Sequence, residues 1–559
     1  MNRFRNLVDA LNATPSFRLF NPANAGRHLL IITCLLFVTF LVHARSIGFG
    51  FCDLDDTHQI VENPALHWSD APDYFVKDVW SNSQAQYRTY YRPLFLLWLL
   101  VNFQFFGLHP ALWHLAAIAL HGAVVVMVYR LGLRLMGNEV GAAVAALLFA
   151  VHPSHVESVV WLSGITEPLT AVFFLGAFLQ YLRWRETRRT LPMMMCALLT
   201  LLALLAKETA AALPLLIALY EWLFPSVPAE KHSAPVAAMI AAGPSFGGAA
   251  VYGCMRLFAM HHVVFVNNPP TQVLLTWPLM LWDYLRMMVW PASLAIYYDA
   301  RMLVHPSADN FWLPMAFLIG CAGLLALAFA RDKRIAFLCC WWLLPIMPAL
   351  VGLFTFPTAD IIHDRYTYLS SVAFVLLVAS GLSHLPGAGK KTIGGPAVVL
   401  SLTIAFAFGM LTVRQTQVWT NGLTLYGHAV EVSPNNVRVR NLYAIQLFKA
   451  GDKSQAFALW KTTLKLDPDA FDTNYALGVT LIEVGQRSQA EFYLRRACAL
   501  ERKKPEGFLV LADLLRSENR LDGALEVLRD GLSTVDANPA LLRQQMTEIE
   551  ASKTRSGQF

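Results

Sequence analysis

Phe51-Cys52-Asp53-Leu54-Asp55-Asp56-Thr57-His58 places three carboxylates within four residues, just after an apolar run, Leu29 to Ala44, that with its flanks is long enough to cross a bilayer. Carboxylates this close repel one another, so they must stay hydrated or meet a partner. Because they emerge where a span ends, they lie at a membrane surface. The rest of the chain is best read by asking what they face there.

The surrounding composition is that of a membrane protein. Of 559 residues, 56% are hydrophobic and only 15% charged, against roughly a quarter charged in soluble domains. Apolar runs dominate to about Val413, and beyond it Lys, Arg, Asp and Glu alternate with Leu and Ala as in soluble helices. The expected fold class is all-α: a polytopic membrane domain followed by a soluble helical one. The expected boundaries are a cytoplasmic leader at 1–28, a transmembrane domain at 29–413, a linker at 414–433, a repeat domain at 434–545 and a tail at 546–559. The net charge of +6 is explained by basic loops on one membrane face, so no nucleic-acid partner is inferred. Cys34, Cys196, Cys254, Cys321, Cys339 and Cys340 lie in apolar runs without a C-x-x-C pair and read as small buried hydrophobes.

Lys and Arg set the topology. Arg3, Arg5, Arg18 and Arg27 precede the first span and put the N-terminus in the cytoplasm, so the Asp55-Asp56 loop is outside. Pro93 to Leu108, opened by Tyr91-Arg92-Pro93, reads as an interfacial helix, because only then do Arg130 and Arg134 return to the cytoplasm. Spans follow from Ala111, at Gly141 to Val151, Ile165 to Leu182, Leu191 to Ala206, Leu213 to Phe224, Ala234 to Phe258, Phe311 to Ala330, Ile335 to Phe354, Tyr368 to His384 and Pro396 to Val413. The inner loops carry Arg183, Arg185, Arg188 and Arg189, then Lys231, then Arg331 to Arg334, then Lys390-Lys391. Leu274 to Tyr298 reads as lying on the outer surface or re-entering. Eleven spans with the N-terminus inside put everything after Arg414 outside, which in a bacterial inner membrane is the periplasm and in an endoplasmic reticulum membrane the lumen.

The tail repeats with a period of 34: Gly451, Gly485 and Asn519; Ala456, Ala490 and Ala524; Ala444, Gly478 and Ala512. Small residues in register let paired helices pack closely, and this period is that of tetratricopeptide repeats, whose concave arrays bind extended peptides or neighbouring proteins. About three repeats are expected.

Polar groups at the outer ends of spans must be hydrated or paired, and their crowding on one side is the functional signal. The external set is Asp53, Asp55, Asp56, Arg92, His152, His155, Glu157, Glu167, Lys207, Glu208, Asp364 and Arg365, while the inner face holds little beyond basic anchors. ATP and nucleotide sugars are cytoplasmic, so a group donor for such a site would arrive on a membrane lipid.

In this order, Asp55-Asp56, Tyr91-Arg92-Pro93-Leu94, His152-Pro153-x-His155-x-Glu157, Gly164-x-x-Glu167, Lys207-Glu208-Thr209, Asp364-Arg365-Tyr366 and Trp419-x-Asn421 before the repeats, the chain resembles the transmembrane and tetratricopeptide repeat O-mannosyltransferases. The resemblance covers nearly the whole sequence, with a much shorter repeat array. It implies a GT-C glycosyltransferase fold that takes mannose from a polyprenyl-phosphate carrier and gives it to Ser or Thr of a protein acceptor.

The residues suit that chemistry on their own terms. Inverting transfer needs a carboxylate to take the acceptor hydroxyl's proton, which Asp55 or Asp56 can supply. The departing phosphate gathers negative charge, and Arg365, then Arg92 and Lys207, are the external cations to receive it. His152, His155, Glu157, Glu167, Glu208, Asp364 and Tyr366 are expected to line the substrate. Adjacent aspartates at a membrane exit also occur as plain solvated loops, Arg92 could merely anchor a helix, and Lys207 could simply pair with Glu208. His152-x-x-His155-x-Glu157 lacks the i, i+4 spacing of a helical zinc site and reads as an active-site wall, with a hard divalent cation the lesser alternative. A transporter or flippase would place its charges near the bilayer midplane instead, and a scaffold would not need eleven spans. Transfer of another sugar, or to a glycan or lipid, is the alternative within the enzyme class.

Overall fold

The computed structural model of the chain describes residues 25–81, 90–226, 233–260, 268–354, 361–382, 394–534 and 539–556. Every regular element among them is helical. The chain divides into two compact units, residues 1–296 with 300–421, and residues 297–299 with 422–559. Arg3, Arg5, Arg18, Lys231, His384, Lys390 and Lys391, on which the topology leaned, lie outside the described residues.

The first unit is built from α1 (Ala25–His43), α2 (Pro93–Phe106), α3 (Pro110–Met136), α4 (Glu139–Ala150), α5 (Val156–Val160), α6 (Thr166–Thr187), α7 (Thr190–Ala206), α8 (Ala212–Leu223), α9 (Ala234–Ala259), α10 (Pro270–Val289), α11 (Leu313–Arg331), α12 (Lys333–Leu343), α13 (Met347–Gly352), α14 (Tyr368–Leu382) and α15 (Gly395–Val418). The sequence writes the breaks locally. Gly137, left-handed at φ +65°, ends α3, and the Asn138 side chain then caps α4 by accepting from the backbone N–H groups of Val140 and Gly141. Pro153, which cannot donate to a preceding turn, follows α4 and bends the chain by 52° before it continues through Val160.

Eight helical stretches, counted among the described residues, are long and apolar enough to cross a membrane, and the bent pair makes nine. Leu29, Phe37 and Leu324 are 66, 59 and 68% exposed, an outward apolar surface that suits lipid. The two remaining expected spans are α7, with 17 residues, and α8, with 12, both below the roughly 20 that a perpendicular crossing takes. Their ends nevertheless meet those of the 22-residue α6. Lys207 pairs with Glu167 at one end; at the other, Tyr181 Oη donates to Glu221 Oε2 (2.5 Å) and Arg188 Nη2 to the Ser226 carbonyl (2.7 Å). The helix α2, at 14 residues, rises about 21 Å, short of the roughly 30 Å hydrocarbon core.

An aromatic-rich core packs around Phe174, Phe178, Phe337 and Trp341, with the Phe178 and Trp341 rings 5.0 Å apart, and a second cluster around Phe95, Leu99 and Trp113 packs α2 against α3. The crossing of α9 over α7 is closer than any side chain allows: a Cβ on Gly248 would lie 2.6 Å from the Ala197 carbonyl oxygen.

The second unit continues with α16 (Gly422–Val432), α17 (Val437–Lys449), α18 (Lys453–Leu466), α19 (Phe471–Glu483), α20 (Arg487–Leu500), α21 (Pro505–Ser517), α22 (Leu521–Thr534) and α23 (Pro539–Ser556). Most of the residues expected to form a linker, 414–433, are thus helical, with a break at 419–421, as is much of the expected tail. Helices α17 to α22 form three successive hairpins. Gly451, Gly485 and Asn519, 34 residues apart, all hold positive φ (92°, 77° and 59°) in the hairpin turns. Ala456, Ala490 and Ala524 are fully buried, and a Cβ on Gly478 would lie 2.7 Å from Leu494 Cγ, so the small-residue columns are the helix contacts.

Gly248→Ala should destabilise the detergent-purified protein by about 1–3 kcal/mol through overpacking. Gly243→Ala on the same helix, where a Cβ meets nothing within 4 Å, should leave the melting temperature unchanged. Equal melting temperatures for both variants would contradict the close crossing.

Candidate active site

Three cations and one acid ring a cavity of about 160 Å³, lined by Asp55, Arg92, Lys207, Arg365 and Tyr366 together with Gln59, Tyr90, Trp161, Ser163 and others. Each cation is held from behind by a glutamate far away in sequence. Arg92, the residue before α2, donates through Nε (3.0 Å) and Nη2 (2.8 Å) to Glu208 Oε2. Lys207, between α7 and the turn that leads into α8, donates to Glu167 in the first turn of α6. Arg365, in the turn before α14, binds Glu157 of α5 through its guanidinium, and its backbone N–H donates to Glu157 Oε2 at 2.9 Å. None of the three glutamates lines the cavity. The cations therefore face the cavity with their counter-charges behind them, and the field inside is that of an anion site.

Aromatic rings space the cations. The Tyr366 ring lies 4.8 Å from Lys207 Nζ and 5.2 Å from the Arg365 guanidinium, and Arg92 stacks over Tyr90 at 4.3 Å. Burial pulls the Lys207 ammonium down to about 8; Glu167 opposes that shift, and Arg92 and Arg365 add to it.

The adjacent aspartates have separate places. Asp56 is 1% exposed: its Oδ1 accepts from the Ser163 backbone N–H (2.9 Å) and hydroxyl (2.6 Å), and its Oδ2 from the Cys52 N–H (2.9 Å). Burial pushes its carboxyl up to about 6 against those hydrogen bonds. Asp56 fixes the loop, and Asp55 lines the cavity.

Several expected lining residues stand elsewhere. His152 and His155 are fully buried. His152 Nε2 donates to the Met288 carbonyl (3.0 Å), His155 Nδ1 donates to the Phe149 carbonyl (2.9 Å), and His155 Nε2 lies 2.8 Å from Ser371 Oγ. They brace the bend after α4 rather than forming a wall of the cavity. Glu157, Glu167 and Glu208 are counter-ions to the cations, and Asp364 is buried beside Arg365 without lining the cavity. Lys207 pairs with Glu167 and not with Glu208. No cluster of three His, Cys, Asp or Glu suited to a metal occurs among the described residues.

Sequence reasoning missed Gln59, Tyr90, Trp161 and Ser163. Each is within four residues of a residue it did select, so the signal was proximity alone. The Gly164 motif has a steric reason: a Cβ there would lie 2.8 Å from the Glu157 carbonyl oxygen and 2.9 Å from Trp161 Cε3. Trp419 stacks on Trp161, with ring centres 6.3 Å apart and planes at 20°.

Fold and site together define a polytopic helical membrane protein with a small polar cavity ringed by cations at the ends of its helices. No family model matches the chain. Among curated proteins it is similar to protein O-mannosyl-transferase TMTC3 of Mus musculus, 24% identical over 90% of this chain and 60% of that protein. It is also similar to protein O-mannosyl-transferase TMTC1 of Homo sapiens, 26% identical over 80% and 55%. The chain thus spans less than two thirds of the length of these relatives. The resemblance read from the motifs is borne out by these similarities. Among solved structures it is similar to the Archaeoglobus fulgidus oligosaccharyltransferase tethered to an acceptor peptide (14% identity, TM-score 0.40, 75% of this chain and 59% of that one) and to ArnT from Cupriavidus metallidurans bound to undecaprenyl phosphate (14%, 0.37, 90% and 80%).

Removing one member of a buried ion pair leaves the other charge stranded, at about 3–5 kcal/mol. Glu157→Ala should therefore lower the melting temperature of the purified protein sharply, and Glu157→Leu with Arg365→Met should recover most of the loss. A single variant as stable as the wild type would contradict the pairing.

Proposed function

We propose that the protein is a membrane glycosyltransferase moving a sugar, with mannose favoured, from a polyprenyl-phosphate carrier to Ser or Thr hydroxyls of a protein acceptor outside the cytoplasm. The observation that carries this reading is the meeting of Asp55 with Arg92, Lys207 and Arg365 around one cavity. The curated relatives' names, protein O-mannosyl-transferases, support the sugar and the acceptor class. The reading includes a GT-C architecture, a cytoplasmic N-terminus in a bacterial inner membrane, and periplasmic tetratricopeptide-type hairpins that engage the acceptor or a partner protein.

In the proposed reaction the Asp55 carboxylate takes the proton of the acceptor hydroxyl as its oxygen bonds to the anomeric carbon from the face opposite the phosphate. The bond from that carbon to the phosphate oxygen breaks, the phosphate leaves with its electron pair on the carrier, and configuration inverts. Arg92, Lys207 and Arg365 neutralise the charge it gathers, and their fixed ion pairs spare the reorganisation that mobile cations would need. Asp56, tied to Ser163 and Cys52, holds Asp55 in register.

Purified protein supplied with polyprenyl-phosphate mannose and a Ser/Thr-rich peptide tests this. Asp55→Asn should lower turnover by about 10²–10⁴-fold, the usual worth of a general base, and Asp56→Asn by less, through a displaced loop. Full activity in Asp55→Asn would remove the assignment, and no transfer from any polyprenyl-phosphate sugar would remove the function.

Lys207 stays charged below about pH 8 and loses its proton above it. The KM for the donor should accordingly rise between pH 7 and 9.5, and Lys207→Arg should flatten that rise. A flat wild-type profile would contradict a role for this ammonium in holding the phosphate.

A further inference from the structure

The cavity holds two polar atoms that the charges around it do not explain. Gln59 and Trp161 both line it and are 6 and 7% exposed, yet Gln59 Oε1 and Trp161 Nε1 have no hydrogen-bond partner among the described residues. Buried polar atoms are usually satisfied, and of the 21 such unpartnered atoms among the described residues these two belong to residues that line this cavity. The neighbouring polar groups are committed: the Ser163 hydroxyl donates to Asp56, and the three cations are tied to glutamates.

The chemistry of the orphans is specific. One is an acceptor and the other a donor. A phosphate oxygen could satisfy the indole N–H but not the amide carbonyl, and a polyprenyl chain could satisfy neither. A sugar hydroxyl both donates and accepts, so a hydroxylated ring satisfies both. Trp161 is also fixed in place by stacking on Trp419, by Arg365 at 5.2 Å from its ring, and by the missing Cβ of Gly164. The cavity, at about 160 Å³, is well below the roughly 300–1,000 Å³ of sites for drug-sized ligands, which favours a single sugar ring over an oligosaccharide.

We infer that Gln59 and Trp161 are specificity-determining residues that read hydroxyls of the transferred monosaccharide, next to the cations that take its phosphate. This rests on the proposed glycosyl transfer and names the part of the site that selects the sugar. The amide carbonyl accepts from one hydroxyl and the indole N–H donates to the same or a neighbouring one. A sugar whose hydroxyls point elsewhere leaves both unpaired and is rejected.

The test uses the full-length purified protein in lipid vesicles, a Ser/Thr-rich peptide, and undecaprenyl-phosphate mannose, glucose and galactose as competing donors. Gln59→Leu and Trp161→Phe, which keep shape and remove one hydrogen-bonding group each, should lower kcat/KM for the preferred sugar about tenfold and shrink its advantage over the others by a similar factor. Monodeoxy mannose donors on the wild-type enzyme give an answer independent of whether the variants fold: removal of at least one hydroxyl should cost about tenfold, and Trp161→Phe or Gln59→Leu should be insensitive to that same deletion. Donor preference unchanged in both variants, or every monodeoxy donor used as well as its parent, overturns this inference while leaving glycosyl transfer in place. A wild-type protein that uses none of the donors overturns both.

Discussion

Three buried or half-buried ion pairs hold the first unit's polar end together: Arg92 with Glu208, Lys207 with Glu167, and Arg365 with Glu157. Their partners are 116, 40 and 208 residues apart. They tie the start of α2, the turn between α7 and α8, the first turn of α6, α5 and the start of α14 into one constellation. Taking charges out of water is expensive, and ion pairs of this kind rarely stabilise a fold more than apolar packing would. Their arrangement explains their presence better than their stability does. In each pair the cation meets the cavity and the glutamate stands behind it, so positive charge is presented to a ligand without a stranded charge in the protein.

The same logic separates the two aspartates. Asp56 is surrounded by three hydrogen-bond donors and closed off from the cavity, which makes it an anchor for its loop. Asp55, one residue earlier, lines the cavity beside the cations. A carboxylate within reach of an anion site would repel the anion unless the cations outweigh it, and three against one meets that condition. Acid and cations thus share one small space, as base-assisted displacement of a phosphate requires.

Much of this was legible in the sequence, because position along a span is encoded one-dimensionally. Apolar runs gave the helices, and the 34-residue columns gave the hairpins whose turns hold positive φ at Gly451, Gly485 and Asn519. Arg92, Lys207, Arg365 and Asp55 stand out because charges at one end of successive spans must converge somewhere, and Tyr366 through the Asp364-Arg365-Tyr366 motif. What stayed hidden depends on contacts across the chain. The burial of Asp56 is set by Ser163, 107 residues away. His152 and His155 read as an active-site wall in sequence, yet backbone carbonyls of Met288 and Phe149 take their N–H groups. Lys207 next to Glu208 suggested a local pair, whereas extended backbone at Lys207 directs the two side chains to different partners, Glu167 and Arg92. Residues 414–433, between the last apolar run and the first repeat, read as a linker, although most of them are helical.

The most direct measurement is an experimental structure of the protein in lipid with undecaprenyl phosphate added. The account predicts the phosphate in the cavity, within hydrogen-bonding distance of Arg365 and of at least one of Arg92 and Lys207, with Asp55 beside it and the polyprenyl chain running into the bilayer. A phosphate bound elsewhere, with these three cations still turned to their glutamates around an unoccupied cavity, would contradict it.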